Sequence, residues 1–165
     1  LTGALAISSS GNVFATAANT IVEFSSTGAL LGTFASGLDT PLGLAFDKSG
    51  NLYASEDVTG KIKEFSPTGT PLGTFATDIY GASALAFDAA GNLYVDNFTG
   101  VVSKFSPTGT SLGTFASGLL APEGMAFSPA PSAVPEPGTL TLVGIGLATL
   151  FGQRRLGRWR APAAS

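Results

Sequence analysis

Along the first 127 residues the apolar positions fall in short clusters, too brief and too closely punctuated for helices. Leu42-Gly43-Leu44-Ala45-Phe46, Leu52-Tyr53-Ala54 and Leu72-Gly73-Thr74-Phe75 are separated by Gly, Pro, Ser, Thr, Asn and Asp. Apolar runs of that length bounded by turn residues predict β-strands. The pattern also repeats. Gly50-Asn51-Leu52 returns 41 residues later as Gly91-Asn92-Leu93, and 39 residues earlier as Gly11-Asn12-Val13. Three copies are legible, and each reads as four strands. In the second copy these are expected over Leu42–Asp47, Asn51–Ser55, Lys61–Ser66 and Pro71–Phe75. The turns fall at Lys48-Ser49-Gly50, Asp57-Val58-Thr59-Gly60 and Pro67-Thr68-Gly69. Pro67 presets φ for a turn and Gly69 supplies the positive φ needed to leave it.

A period near 40 with four strands per unit is that of a β-propeller blade. Alternation within the strands is imperfect, as expected where both faces of a sheet are covered by neighbouring blades. Phe46, Phe65 and Phe75 recur as Phe87, Phe105 and Phe115. At strand-interior positions they are expected to form the core between blades. The run from Pro41 to Phe75, with its P-x-G-L-A-F-D-x-x-G-N-L-Y core, resembles the NHL repeat. More broadly it resembles the six-bladed propellers of the SMP-30/gluconolactonase and streptogramin-lyase type. The resemblance covers about residues 4–127. It departs from the repeat family in the third strand, where Arg is frequent and this chain has Thr20, Lys61 or Val101.

The expected fold is all-β: a partial propeller of about three four-stranded blades of a six-bladed ring. A fourth copy opens at Met125-Ala126-Phe127 and then gives way to a proline-rich stretch. Propellers have about four to eight blades, so three do not close a ring. The chain begins at Leu1 with no secretory leader, and the expectation is that further blades precede it in a longer protein. Two other arrangements stay open: stacked blades with open edges, or two copies completing one ring.

The tail has a different character. After Val134-Pro135-Glu136-Pro137-Gly138-Thr139 comes an uncharged apolar run from Leu140 to Gly152, then Arg154, Arg155, Arg158 and Arg160. About fourteen residues of helix span roughly 21 Å, short of the ~30 Å hydrocarbon core. Extension through Gly138 and Gln153, with arginines snorkelling to the headgroups, makes up the difference. Charge is partitioned in the same way. All eleven acidic residues precede Pro137 against four lysines, a net −7, while the tail after it holds the four arginines. Positive charge stays cytoplasmic, so the blades are expected outside. An acidic ectodomain disfavours nucleic acid as a partner.

The motif, apolar run and basic cluster, in that order at the C-terminus, resemble the PEP-CTERM sorting signal of Gram-negative bacteria. The resemblance implies processing near Pro135-Glu136-Pro137 by an exosortase, a membrane-embedded cysteine transpeptidase-like enzyme. It also implies an organism that makes exopolysaccharide. The domain plan is therefore blades over 1–127, a proline-rich linker over 128–138, a transmembrane helix over 139–153 and a basic cytoplasmic tail over 154–165. The expected location is the bacterial cell envelope, with release to the surface or outside after processing.

Candidate chemistry is sparse. The chain has no His and no Cys, which removes His- and Cys-based triads, His zinc sites and disulfides. Asp47-x-x-Gly50-Asn51 and Asp88-x-x-Gly91-Asn92 lack the ring of oxygen ligands a calcium loop needs, and read instead as Asp-capped turns. Glu56, Asp57, Asp96 and Asn97 follow the second strand of their copies and form a candidate ligand rim. They read either as a solvated acidic rim or as remnants of a metal site, since SMP-30-like hydrolases hold a divalent metal with Glu, Asn and Asp in the channel. No catalytic residue and no cofactor is assigned, and a divalent metal belongs only to the enzymatic alternative. Two functions follow. One is a sorted surface propeller for binding, with exopolysaccharide or another surface ligand, or for a structural role in the matrix. The other is an extracytoplasmic lactonase- or lyase-like enzyme with most of its active site in blades ahead of Leu1.

Overall fold

The structure, a computed structural model, describes residues 3–120 and 124–127. Contacts divide the chain into Leu1–Ser128 and Pro129–Ser165, and every described residue belongs to the first unit. The linker, transmembrane helix and basic tail expected over 128–165 lie outside the described residues.

Among the described residues, twelve strands form three four-stranded antiparallel sheets. Blade 1 holds β1 (Leu5–Ile7), β2 (Val13–Ala17), β3 (Thr20–Phe24) and β4 (Leu30–Ser36). Blade 2 holds β5 (Pro41–Phe46), β6 (Leu52–Glu56), β7 (Lys61–Phe65) and β8 (Pro71–Ala76). Blade 3 holds β9 (Ala82–Phe87), β10 (Leu93–Asn97), β11 (Val102–Phe105) and β12 (Ser111–Ala116). Within each sheet the strands lie in chain order. The described residues contain no helix.

The turns are held by the residues the repeat keeps. Asp47 Oδ1 accepts the amides of Ser49 and Asn51 at 2.8 Å, and its Oδ2 accepts from the Asn51 side chain at 3.2 Å. Asp88 accepts from the Asn92 amide and side chain, both at 2.8 Å. The Asn92 side-chain bond is the main reason the Asp88 carboxyl sits below its ordinary value of 3.8. In each third turn a serine (Ser25, Ser66 or Ser106) accepts amides two and four residues on. Such side-chain bonds stand in for backbone partners at a turn. Two of the turn glycines also meet the neighbouring blade. Gly69 (φ +82°) lies against the Phe34 carbonyl and Gly109 (φ +79°) against the Phe75 carbonyl, so close that a Cβ at either would collide.

The blades pack through two equivalent cores. Between blades 1 and 2, Ala6, Phe14, Ile21, Ala35 and Leu38 face Leu44, Leu52, Ala54 and Phe65. Between blades 2 and 3 the corresponding Ala45, Tyr53, Ile62, Ala76 and Ile79 face Leu85, Leu93, Val95 and Phe105. Ile21, Leu52, Ile62 and Leu93 are wholly buried, each contributing about 2 kcal/mol of apolar transfer. The ring contacts recur as well. Phe14 meets Phe46 edge-on at 5.0 Å, and Tyr53 meets Phe87 at 4.8 Å. Such pairs add about 1 kcal/mol beyond the area they bury. The Tyr53 hydroxyl donates to Glu64 Oε1 at 2.8 Å, and burial followed by that bond pushes its pKa upward.

The phenylalanines expected between blades are there for Phe65 and Phe105, which are buried, and for Phe46, Phe75 and Phe87, which pack on the cores. Phe115 is the exception. It is 62% exposed, because blade 3 has no following blade among the described residues to cover it.

Candidate functional site

The inner strands β1, β5 and β9 face one another across the blades, and a cleft of about 380 Å³ opens where they converge. Its walls are Ala4 and Leu5 from blade 1, Gly43 and Leu44 from blade 2, and Ser83 and Ala84 from blade 3, joined by Phe98 and Met125. Ser83 is the one polar side chain among the described residues that line it.

One position per blade fixes this wall from behind. The Ala4 amide donates to Thr16 Oγ1 at 2.9 Å, the Gly43 amide to Ser55 Oγ at 2.8 Å and the Ala84 amide to Asp96 Oδ1 at 2.7 Å. Thr16, Ser55 and Asp96 are equivalent, each four residues after the Asn of its Gly-Asn pair. The second strand thereby pins an amide of the first through a side chain. Blade 2 adds a link: Ser55 Oγ donates to the Ala82 carbonyl at 2.8 Å, tying blade 2 to blade 3. Space there is tight, since a Cβ on Gly43 would lie 2.9 Å from Ser55 Oγ. In blade 3 the Ser83 hydroxyl donates to Asp96 Oδ1 at 2.5 Å. Asp96 is 1% exposed, and its Oδ2 has no hydrogen-bond partner.

The four acidic and amide residues expected at a rim have separate places. Glu56 ends β6, buried. Its Oε1 accepts the Asp39 amide at 3.1 Å and its Oε2 the Thr59 hydroxyl at 2.6 Å. It therefore clamps the connection entering blade 2. Asn97 ends β10, and its Oδ1 accepts from the Thr99 amide, the Thr99 hydroxyl and the Val101 amide, closing its own turn. Asp57 lies half-buried in the turn after β6. A solvated rim does not describe Glu56 and Asp96, which are strand residues shielded from water. Nor are the four equivalent in pairs as acids. Asp96 corresponds to Ser55, and Asn97 to Glu56, so matching acid with acid slides the repeat by one residue. Thr16, Ser55 and Ser83 were missed for the same reason. Keeping the Gly-Asn pairs in register would have aligned Thr16, Ser55 and Asp96.

These donors do not fit a divalent metal. Glu56 and Asn97 spend their oxygens on backbone and hydroxyl groups, which leaves Asp96 Oδ2 alone. Among the described residues no three acidic, His or Cys groups converge. Asp96 itself is buried behind Ser83 and Ala84 and does not line the cleft.

Comparison with known proteins agrees with both halves of the chain. The PEP-CTERM protein-sorting motif matches residues 133–155. That span includes Val134 to Thr139, Arg154 and Arg155 and stops short of Arg158 and Arg160. A search of curated proteins returns no match. Among solved structures, a protein assigned as a gluconolactonase superposes with a TM-score of 0.64 at 19% identity, over 75% of this chain and 50% of its own. A gluconolactonase of Xanthomonas campestris gives 0.61 at 21% identity, over 74% of this chain and 49% of its own. The computationally designed Ika4 protein gives 0.59 at 22% identity, over 76% of this chain and 79% of its own. At these identities the likeness is one of fold, and the chain spans about half the length of the two gluconolactonase-type structures. The described residues thus form three four-stranded β-propeller blades, similar in fold to gluconolactonase-type structures, and residues 133–155 of the chain match the PEP-CTERM protein-sorting motif.

Proposed function

We propose that the chain is a cell-surface protein whose propeller serves binding or a structural role in the extracellular or biofilm matrix. The sorting motif makes it an exported protein handled by exosortase, a membrane enzyme. That motif standing directly after the blades is the observation that carries the reading. On this reading residues 128–138 are the linker that presents Pro135-Glu136-Pro137 for processing. Residues 139–153 cross the membrane, and Arg154, Arg155, Arg158 and Arg160 hold the end of the chain in the cytoplasm until processing. The inner cleft supports binding over catalysis, because the described lining offers backbone, apolar groups and the Ser83 hydroxyl. Hydroxyl-rich exopolysaccharide suits such a surface.

The sorting half is tested by fusing the last 35 or so residues to a secreted reporter in two hosts, one with exosortase and one without. Processing and surface delivery are expected only in the first, and Glu136→Ala is expected to abolish them there. Equal delivery in both hosts overturns the reading. The unpaired Asp96 Oδ2 favours a second reading, an extracytoplasmic lactonase- or lyase-like enzyme completed by other blades. Lactone hydrolysis by the intact protein, assayed with and without divalent metal, decides it. Turnover that Asp96→Asn removes would displace the binding role.

A further inference from the structure

One position on the second strand is filled differently in each blade. Phe14, Tyr53 and Tyr94 are equivalent, each two residues after the Asn of its Gly-Asn pair. In blade 2 the Tyr53 hydroxyl donates at 2.8 Å to Oε1 of Glu64, its partner across the ladder to β7. The Asn51 side chain donates to the same oxygen at 3.2 Å. In blade 3 the ladder partner is Lys104 rather than an acid. The Tyr94 hydroxyl turns instead to Asp88 Oδ2 at 3.3 Å, with Lys104 Nζ 4.9 Å from its ring centre. Blade 1 keeps the acid and loses the hydroxyl. Glu23 pairs with Phe14 across the ladder and accepts from the Asn12 side chain at 2.8 Å, as Glu64 does from Asn51. Phe14 gives it no second donor. The neighbouring turn differs as well, with Ser8 where the later blades have Asp47 and Asp88.

A pocket of about 290 Å³ opens at this place, in the seam between blades 1 and 2. Phe14 and Phe46 form its apolar side, and Glu23, Ser9, Ser10 and Lys48 are among its polar groups. Every described residue that lines it belongs to blade 1 or blade 2, so these two blades suffice to form it. It shares no lining residue with the inner cleft. Ligand pockets run from about 300 to 1,000 Å³, so this one fits a single small ring. An aromatic wall facing hydroxyls and a carboxylate matches a molecule with an apolar face and several hydroxyls around it. A phenol would satisfy Glu23 and leave Ser9 and Ser10 unmatched. The Asp47 carboxylate is taken up by its own turn. Glu23 and Lys48 then offset each other, which favours a neutral ligand over a charged one.

We propose that this pocket is a second binding site, for a single neutral saccharide unit. The apolar face of the sugar ring lies against Phe46, which is half-buried. One of its hydroxyls takes the place that the Tyr53 hydroxyl takes in blade 2, donating to Glu23. A hydrogen bond to a charged acceptor is the strong kind, and here the repeat leaves it for a ligand to make. Ser9, Ser10 and Lys48 serve the remaining hydroxyls. The site goes beyond the inner cleft and stands or falls apart from it.

The repeat supplies its own test. Phe14→Tyr puts the hydroxyl of blades 2 and 3 into blade 1 and so fills the site from within. The full-length protein in detergent is titrated calorimetrically with the methyl glycosides of glucose, galactose and mannose. At least one is expected to bind in the millimolar range. Phe14→Tyr is expected to raise the melting temperature and abolish that binding. Glu23→Gln is expected to weaken it about tenfold, with circular dichroism unchanged. If none of the three glycosides binds while Phe14→Tyr still raises the melting temperature, the pocket holds water only and the proposal is overturned. Binding left unchanged by either variant overturns it as well. Should Ser83→Ala then remove that binding, the sugar sits in the inner cleft, and the proposed binding role outlives the loss of this site.

Discussion

At the scale of single residues, three carboxylates do three different jobs. Glu56 holds the blade connection through the Asp39 amide and the Thr59 hydroxyl. Hydrogen bonds to a charged acceptor contribute about 1.5–3 kcal/mol each, so Glu56→Ala is expected to cost about 2 kcal/mol or more in urea unfolding. A loss below about 0.5 kcal/mol would remove it from the fold's supports. Asp96 has one oxygen at work and one orphaned. Asp96→Asn keeps the acceptor for the Ala84 amide and uncharges the buried group, so stability is expected to hold or rise by about 1 kcal/mol. Asp96→Ala strands that amide and is expected to cost about 2 kcal/mol. Asp88 caps a turn, and its carboxyl is held low chiefly by Asn92. A folded pKa below the unfolded one contributes stability that is present above the unfolded value and lost as pH falls through the folded one. Melting temperature is therefore expected to drop below about pH 4, and Asp88→Asn to make that drop shallower.

Among the strands, the one buried on both faces carries the most. Every residue of β6 is buried, whereas β8 is exposed over most of its length. Leu52→Ala is expected to cost about 2–5 kcal/mol by cavity formation. Leu72→Ala on the outer strand should cost under about 0.5 kcal/mol. Thermal melts of the two variants side by side check the ranking. The strands of blade 2 were readable from the sequence to within a residue, because Asp47, Gly50, Pro67 and Gly69 fix where each one stops. Less could be read at the inner wall. Thr16, Ser55 and Asp96 share a single hydrogen-bonding task with three different side chains, and a hydroxyl and a carboxylate look unrelated until the amide they both serve is seen. Phe115 stands exposed for another reason. Its position in the repeat is a core position, but burial also needs a neighbour, and the sequence pattern counts residues rather than neighbours.

At the scale of the molecule, the main contacts among the described residues run within blades and between adjacent ones, so stability is close to a sum of blade and interface contributions. Deleting residues 41–81 removes one repeat and joins Thr40 to Ala82 at the position Pro41 held. Phe14, Ile21 and Leu38 would then meet Leu85, Leu93 and Phe105 in place of Leu44, Leu52 and Phe65. The shortened protein is expected to keep its β-sheet circular dichroism and a cooperative melt at a lower temperature. Loss of the cooperative transition would mean that the two interfaces are not interchangeable. Their interchangeability reaches the gene as well. A DNA segment coding for one blade can be duplicated or dropped by slippage between repeats without creating a mismatched junction.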